Sequence, residues 1–340
     1  MEESSKITIK SIAREAGVSI GTVSNVLNGT GRVAEDTILK VKKVAEALKY
    51  TPNSSARNLR AQKSHLIALI VPFLEKSTIH DSPFYWELAT SIEAGARDHN
   101  LHVLLTGLDK DQDVSFVRDR NLDGVIVIGT SDESPLVAQL KGYGVPFVVL
   151  DSYLSDPEVF QVHLDDRMGG YVGAKHLIDL GHRRIAFITD LLLDRGLNYK
   201  RWLGYKTALE EHQIEYDPNL IIESGLTFDG GYHAAQQIFQ KDGDVTAVFV
   251  LSDVTAIGLI KGLTELGYSV PGTISVLGFD DIRYTEYSSP PLTTINQNII
   301  DKGQRAVRLL LDQIEGVPPI QKNIVLPITL KVRQSTARNL

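Results

Sequence analysis

Ile20, Gly21, Thr22, Ser24 and Asn25 are small or uncharged residues that share the outer face of a short predicted helix. A face of that kind does no bond-breaking chemistry. It suits a helix lying against base edges, where hydrogen bonding and methyl contact discriminate. The run Thr8–Gly29 must position it. Thr8 is placed to cap a first helix by accepting a backbone N–H bond. Ile9, Ile12, Ala13 and Ala16 recur at helical spacing and give that helix one apolar face. Gly17 fits the position after a helix where a left-handed backbone is required. Ser19 caps the second helix, whose Val23, Val26 and Leu27 face inward. Two helices joined by a short glycine turn form the arrangement that places the second helix in the major groove of DNA.

Charge supports the same reading. The chain of 340 residues carries a formal net charge of -7, but residues 1–64 hold eleven Lys and Arg against six Asp and Glu. The front is therefore +5 and the remainder -12. A basic head on an acidic body concentrates attraction for phosphate at one end. The 43% hydrophobic content is enough for more than one core. The absence of cysteine excludes disulfides, thiolate metal sites and a cysteine nucleophile. Met1–Ser5 is acidic and polar, unlike a secretory leader. Apolar stretches such as Leu66–Pro72 are too short to span a bilayer. A cytoplasmic protein with no membrane partner is expected.

Catalytic signatures are missing: there is no H-E-x-x-H, no P-loop, and neither a G-x-S-x-G nor a G-x-G-x-x-G placed after a strand. The histidines are scattered, and His176 and His182, flanking a helix end, read as structural. Asp165 and Asp166 are adjacent, so their carboxylates point apart and suit the start of the next helix. No enzyme, cofactor or metal site is expected.

A third helix is predicted from Ala34 to Leu48, with Val33, Ile38, Val41, Val44, Ala45 and Leu48 as its stripe and Thr51-Pro52 as its stop. Asn53 can cap one or two further turns over Ser54–Arg60, too short and polar to be helical in isolation. After Ser64, β-branched runs alternate with amphipathic stretches. Strands are predicted at Leu66–Val71, Val103–Leu105, Gly124–Ile128, Phe147–Leu150, Ile185–Thr189, Ala247–Leu251 and Ser275–Gly278. Helices are predicted at Gly169–Leu180, Arg201–His212, Gly231–Gln240, Val254–Leu266 and Ile299–Ile314. This alternation implies α/β architecture with doubly wound parallel sheets, and the length implies two lobes. Crossovers are placed near His163–Asp165, Leu292–Ile295 and Val325–Leu326. The expected organisation is a head over 1–52, a hinge helix and linker over 53–64, a first lobe over 65–163 and 294–325, and a second over 164–293 and 326–340. A small ligand would sit between the lobes, at the carboxyl ends of the strands.

With these residues in view, the chain resembles the lactose-repressor family (LacI/GalR) of transcription regulators along essentially its whole length. At the head the likeness rests on Thr8–Ala13, Gly17-Val18-Ser19, Thr22-Val23-Ser24 and Tyr50–Asn53. In the body it rests on Asp165-Asp166 with Gly169-Gly170, His176–Ala186, Ser252-Asp253, Ile274–Asp281 and Pro291–Ile295. The resemblance implies a repressor that binds a pseudo-palindromic DNA operator as a homodimer. Its body would resemble periplasmic sugar-binding proteins and hold an allosteric effector, a sugar or sugar derivative. A nucleobase or a phosphorylated metabolite is the alternative. It implies DNA contacts from Thr8, Ser19, Ile20, Gly21, Thr22, Ser24, Asn25, Asn28, Arg32, Asn53, Ala56, Arg57, Leu59 and Arg60. Leu59 matches a leucine that wedges into the central base step. Asn25 stands where members often carry an arginine or another long side chain, which points to an adenine-tolerant base at that operator position. Effector contacts carried over from the family fall on Phe84, Tyr85, Asp151, Arg201, Phe228, Ser252 and Asp280. One departure is the loop Asp190–Gly196, bulkier and more apolar than the small-residue loop of many members, which implies a narrower pocket. No leucine heptads follow the last strand, so a dimer is expected and not a coiled-coil tetramer. A transport-type binding protein without DNA would share the body but not the head.

Overall fold

The computed structural model describes residues 7–50, 63–71, 82–108, 113–190, 192, 196–241 and 244–339. The chain divides into two compact units, Met1–Lys63 and Ser64–Leu340. The expected linker helix, with Asn53, Ala56, Arg57, Leu59 and Arg60, lies outside the described residues, as does most of the loop 191–195.

The head contains α1 (Ile9–Ala16), α2 (Ile20–Asn28) and α3 (Glu35–Ala47). Gly17 ends α1 at φ 62° and Gly29 ends α2 at φ 67°, conformations that cost a residue with a Cβ free energy. Ser19 Oγ accepts the Thr22 N–H at 3.0 Å. At the start of α1 the bond runs from the Thr8 N–H to Ser11 Oγ, at 3.3 Å. Ile12, Ala13, Ala16, Val23, Val26, Val41 and Ala45 meet in a small buried core. Helices this short are marginal alone, so this shared core holds them.

The body is built from two six-stranded sheets. Its first part runs β1 (Leu66–Val71), α4 (Pro83–Asp98), β2 (His102–Gly107), α5 (Ser115–Asp119), β3 (Gly124–Ile128), α6 (Pro135–Tyr143), β4 (Phe147–Leu150) and β5 (Phe160–Leu164). The second part runs α7 (Asp166–Asp179), β6 (Ile185–Thr189), α8 (Leu197–Glu211), β7 (Ile221–Glu223), α9 (Phe228–Lys241), β8 (Ala247–Val250), α10 (Asp253–Glu265), β9 (Ser275–Asp280) and β10 (Thr293–Asn296). Then α11 (Ile299–Glu315), β11 (Asn323–Leu326) and β12 (Thr329–Lys331) follow. The sheet orders are β11-β5-β4-β3-β1-β2 and β12-β10-β9-β8-β6-β7, with the same winding in both. All pairings are parallel except β12 with β10. Strands covered on both faces must be apolar throughout, and β3, β6 and β9 are buried at every position.

One expected crossover moves. Thr293–Asn296 pairs with β9 in the second sheet, so the chain returns to the first lobe after Asn296 and not near Leu292–Ile295. There α11 packs on β3, β4, β5 and α4. Strands β5, β7, β10, β11 and β12 and helices α4, α5 and α6 were not among the predicted elements. No described helix is long and apolar enough to cross a membrane.

In the second lobe, helices touch through their backbones. A Cβ on Gly170 would overlap the carbonyl oxygen of Arg201, and one on Gly204 that of Arg167, so α7 and α8 cross in direct contact. Gly258 meets the carbonyl of Phe228 in the same way. Backbone cannot swing aside as a side chain does. Gly170→Ala is expected to destabilise the body by about 3 kcal/mol, whereas Gly21→Ala, whose Cβ would lie 3.6 Å from Ser19 Oγ, is expected to leave stability unchanged or raise it by up to about 1 kcal/mol. Paired thermal melts check this; equal melting temperatures for the two variants would refute the backbone-contact argument.

Candidate nucleic-acid interface and interlobe cleft

On the head, α2 turns Ile20, Gly21 and Asn25 to solvent, and Ile20 is 46% exposed. Thr22 and Ser24 are half-buried along the same helix. Thr8, Ser19 and Arg32 are exposed beside it, and Asn28 is its last residue. The Asn25 amide leans on the following turn: a Cβ on Gly31 would come within 2.9 Å of its Nδ2. The glycine leaves the amide its place at the C-terminal end of the recognition face.

In the body, the carboxyl ends of the strands carry the polar groups. Asp151 follows β4 in the left-handed region at φ 51°, and Asp280 ends β9 at φ 126°. Such backbone is strained for a residue with a Cβ and collects at functional sites. A chain of side chains joins the two carboxylates across the lobes. Lys302, in the first turns of α11 and without solvent exposure, donates to Asp151 Oδ1 at 2.6 Å and to Gln297 Oε1 at 2.6 Å. The Gln297 amide in turn donates to Asp280 Oδ1. The second cation, Arg201 on α8, donates through Nε to Asp166 Oδ1 at 2.8 Å and through Nη1 to the Leu251 carbonyl at 3.3 Å. Its guanidinium carbon lies 3.7 Å from the centre of the Phe279 ring. The Tyr153 hydroxyl donates to Asp166 Oδ2 at 2.8 Å, so a first-lobe residue braces that ion pair too.

Tyr85 marks where these groups converge. Burial pushes its hydroxyl up to about 12, helped by the charges of Asp151 and Asp280 and opposed by Arg201. Phe84 meets Tyr85 edge-on with centroids 5.3 Å apart. Asp253, the first residue of α10, is fully buried. It accepts the Ile282 N–H at 3.0 Å and the Thr294 hydroxyl at 2.5 Å. Burial and the neighbouring Asp280 raise its carboxyl. Burial likewise pushes Asp280 up to about 7, against Arg201, Gln297 and Lys302, which lower it.

Of the sequence-predicted effector residues, the structure brings Phe84, Tyr85, Asp151, Arg201 and Asp280 into one neighbourhood. Ser252 is buried at the start of α10. Phe228 opens α9 and packs half-buried against the core. Lys302, Gln297, Asp253 and Phe279 were missed. Lys302 had a readable signal, for it sits on the apolar stripe of an amphipathic helix with Ile299, Ala306 and Leu310. The His176 and His182 rings bond to Thr336, Thr246 and Ser275, away from the cleft groups. No cluster of groups suited to a metal ion exists among the described residues.

Comparison with known proteins places this geometry. Residues 8–53 match the family "Bacterial regulatory proteins, lacI family" and residues 174–336 the "Periplasmic binding protein-like domain". The ribose operon repressor of Haemophilus influenzae is 33% identical over 334 residues, 96% of this chain and 98% of that protein. The solved lac repressor dimer bound to operator and the anti-inducer ONPF has a TM-score of 0.85 at 28% identity, covering 97% of this chain and 99% of that one. A LacI family regulator from Enterococcus faecium with bound ribose has a TM-score of 0.73 at 33% identity, covering 81% of this chain and 100% of that one. The fold and its sites therefore define an allosteric DNA-binding transcription regulator and not an enzyme. The chain belongs to the LacI family.

The raised Asp280 carboxyl has a pH consequence. Its folded value, about 7, lies above the ordinary 3.8, so the folded state binds the proton more tightly. The stability this gives is complete below the ordinary value and is lost as pH rises through the folded one. Asp280→Asn keeps an acceptor for Gln297 and has nothing to ionise. It is expected to melt at least about 2 °C above the wild type at pH 8, with the gap closing in acid. A gap that widens as pH falls would refute the assignment.

Proposed function

We propose that this chain is a cytoplasmic homodimeric repressor of a pseudo-palindromic operator, released from or fixed on DNA by a sugar or sugar derivative bound between its lobes. The observation that carries the effector reading is the convergence of Asp151, Arg201, Asp280 and the Phe84–Tyr85 aromatic pair where the carboxyl ends of two sheets face each other. Carboxylates and a guanidinium fork match vicinal hydroxyls, and aromatic faces match the apolar side of a sugar ring. Ribose is named for two of the similar proteins above, which supports the same ligand class.

In this reading Thr8, Ser19, Ile20, Gly21, Thr22, Ser24, Asn25, Asn28 and Arg32 meet DNA from the head. Asn53, Ala56, Arg57 and Arg60 follow the linker, and Leu59 wedges into the central base step. The effector favours one lobe orientation, and a shift of a few kcal/mol is enough to change operator occupancy. The dimer reading rests on an apolar surface in the body. The Arg283 N–H donates to Glu87 Oε1 at 3.0 Å, bringing the segment with Tyr284 and Tyr287 beside the helix that carries Trp86. These three side chains are 58%, 74% and 65% exposed, respectively. A second copy of the chain would bury them.

Three experiments test the proposal. Gel shifts against a randomised palindrome library are expected to select one operator, with affinity falling about a thousandfold or more between 50 and 200 mM salt. Asn25→Ala is expected to relax one base position by about 1–3 kcal/mol. Thermal-shift screening of sugars is expected to give a hit that changes operator affinity and that Arg201→Ala abolishes; a hit bound equally well by that variant would remove the cleft assignment. In sedimentation, Tyr287→Asp is expected to move the protein from dimer to monomer at micromolar concentration, and a wild type already monomeric there would overturn the dimer.

A further inference from the structure

We propose that the buried Lys302–Asp151 pair is a specificity device that makes the cleft accept an uncharged polyhydroxylated effector and reject its phosphorylated or carboxylated analogues. This deepens the effector reading above and rests on it.

Lys302 occupies a position on the apolar stripe of α11 where an aliphatic residue would do for packing. A lone ammonium there would cost several kcal/mol, so it must be matched. Asp151 and Gln297 take two of its three donors at 2.6 Å each, and the Phe84 ring centre lies 5.4 Å from Nζ. The pair has side-chain exposures of only 0% and 7%. Arg201 is matched in the same manner by Asp166, at exposures of 6% and 0%. Among the described residues, each of these cleft cations therefore has its own carboxylate before any ligand arrives.

An entering phosphate would find both cations already neutralised: it could reach only the third donor of Lys302 and the N–H groups of Arg201 that Asp166 and Leu251 leave over. Each such contact would set the anion close to the buried carboxylate of Asp151 or Asp166, where repulsion offsets the attraction of the cation. Burial first, and then the charges of Asp151 and Asp280, raise the Tyr85 hydroxyl, so both carboxylates act on this region. A hydroxyl group meets no such repulsion. It donates to a carboxylate oxygen, which has two lone pairs and keeps capacity beyond its bond to Lys302, and no charge changes partner. Asp151 is thus the residue that denies Lys302 to anions, and Lys302 holds Asp151 oriented for hydroxyls.

The test uses the full-length protein and inorganic phosphate as the probe, with chloride at matched ionic strength as the reference. Because the head also attracts phosphate, the readout is the difference between wild type and Lys302→Met, a variant of similar volume without the charge. Wild type and Lys302→Met are expected to gain equally little from phosphate in thermal shift and calorimetry. Asp151→Asn frees the ammonium and is expected to tighten phosphate binding at least about tenfold, an effect that Asp151→Asn combined with Lys302→Met removes. Asp151→Ser repeats the measurement if the asparagine variant does not fold. Phosphate binding by wild type that Lys302→Met abolishes would overturn the proposal, and so would Asp151 variants that gain nothing. Failure of the effector reading shows elsewhere, as a sugar screen without a hit that depends on Arg201.

Discussion

Charge removed from water must be matched, and the interlobe region of this protein is organised by that requirement. Arg201 and Lys302 are both buried, and breaking either pair by removing one partner would cost about 3–5 kcal/mol. Each is satisfied by a carboxylate from a different element: Asp166 from the start of α7 and Asp151 from the end of β4. The hydrogen bonds that complete these pairs cross between lobes, through Tyr153 to Asp166 and through Gln297 to Asp280. The same groups that would orient a ligand thus also fix the geometry of the walls. A ligand that competes for any one of them acts on the lobe arrangement directly.

Gln297 gives that coupling a location. It sits between β10 and α11, on the stretch where the chain passes from the second sheet back to the first lobe. Its carbonyl oxygen faces a first-lobe helix through Lys302 and its amide faces the end of a second-lobe strand through Asp280. A connection that carries cleft hydrogen bonds cannot change its torsions without disturbing those bonds. The second lobe transmits such changes stiffly. Backbone contact between α7 and α8 at Gly170 and Gly204 ties Arg201 to the helix that supplies Asp166, so the pair moves as one body.

The sequence showed most of the architecture, and its failures have physical causes. Strands β1, β3, β4 and β6 were legible because they are continuous apolar runs. Strand β5, Phe-Gln-Val-His-Leu, was not, because Gln161 and His163 look like surface residues. The fold buries both and answers their polar atoms, Gln161 with the Leu154 backbone and His163 with the Leu164 carbonyl. Strand β10 hides in the same way. Its threonines are buried, with Thr294 on Asp253 and Thr293 beside Thr336, so a run that reads as polar is central in the sheet. The misplaced crossover follows from that one misreading. Helix α4 opens with Pro-Phe-Tyr-Trp, which hid the spacing of Leu88, Ile92 and Ala96 behind it. In the cleft, resemblance pointed to Asp151, Arg201 and Asp280 but not to what pairs with them, because a partner distant in sequence leaves no local pattern.

The head shows the opposite balance. Its core residues are the ones that helical spacing picks out, since three short helices have no other way to bury apolar surface. The side chains the core does not use, which the proposed function assigns to DNA, are little constrained by packing. Asn25 is an instance: its amide rests against Gly31, whose backbone at φ 76° leaves room for it. In the proposed reading of Asn25, base preference would depend on a turn residue outside the recognition helix as well as on the asparagine. A Cβ at Gly31 would crowd the amide within 2.9 Å and strain the turn at φ 76°, so the glycine serves both the turn and the placing of the Asn25 side chain.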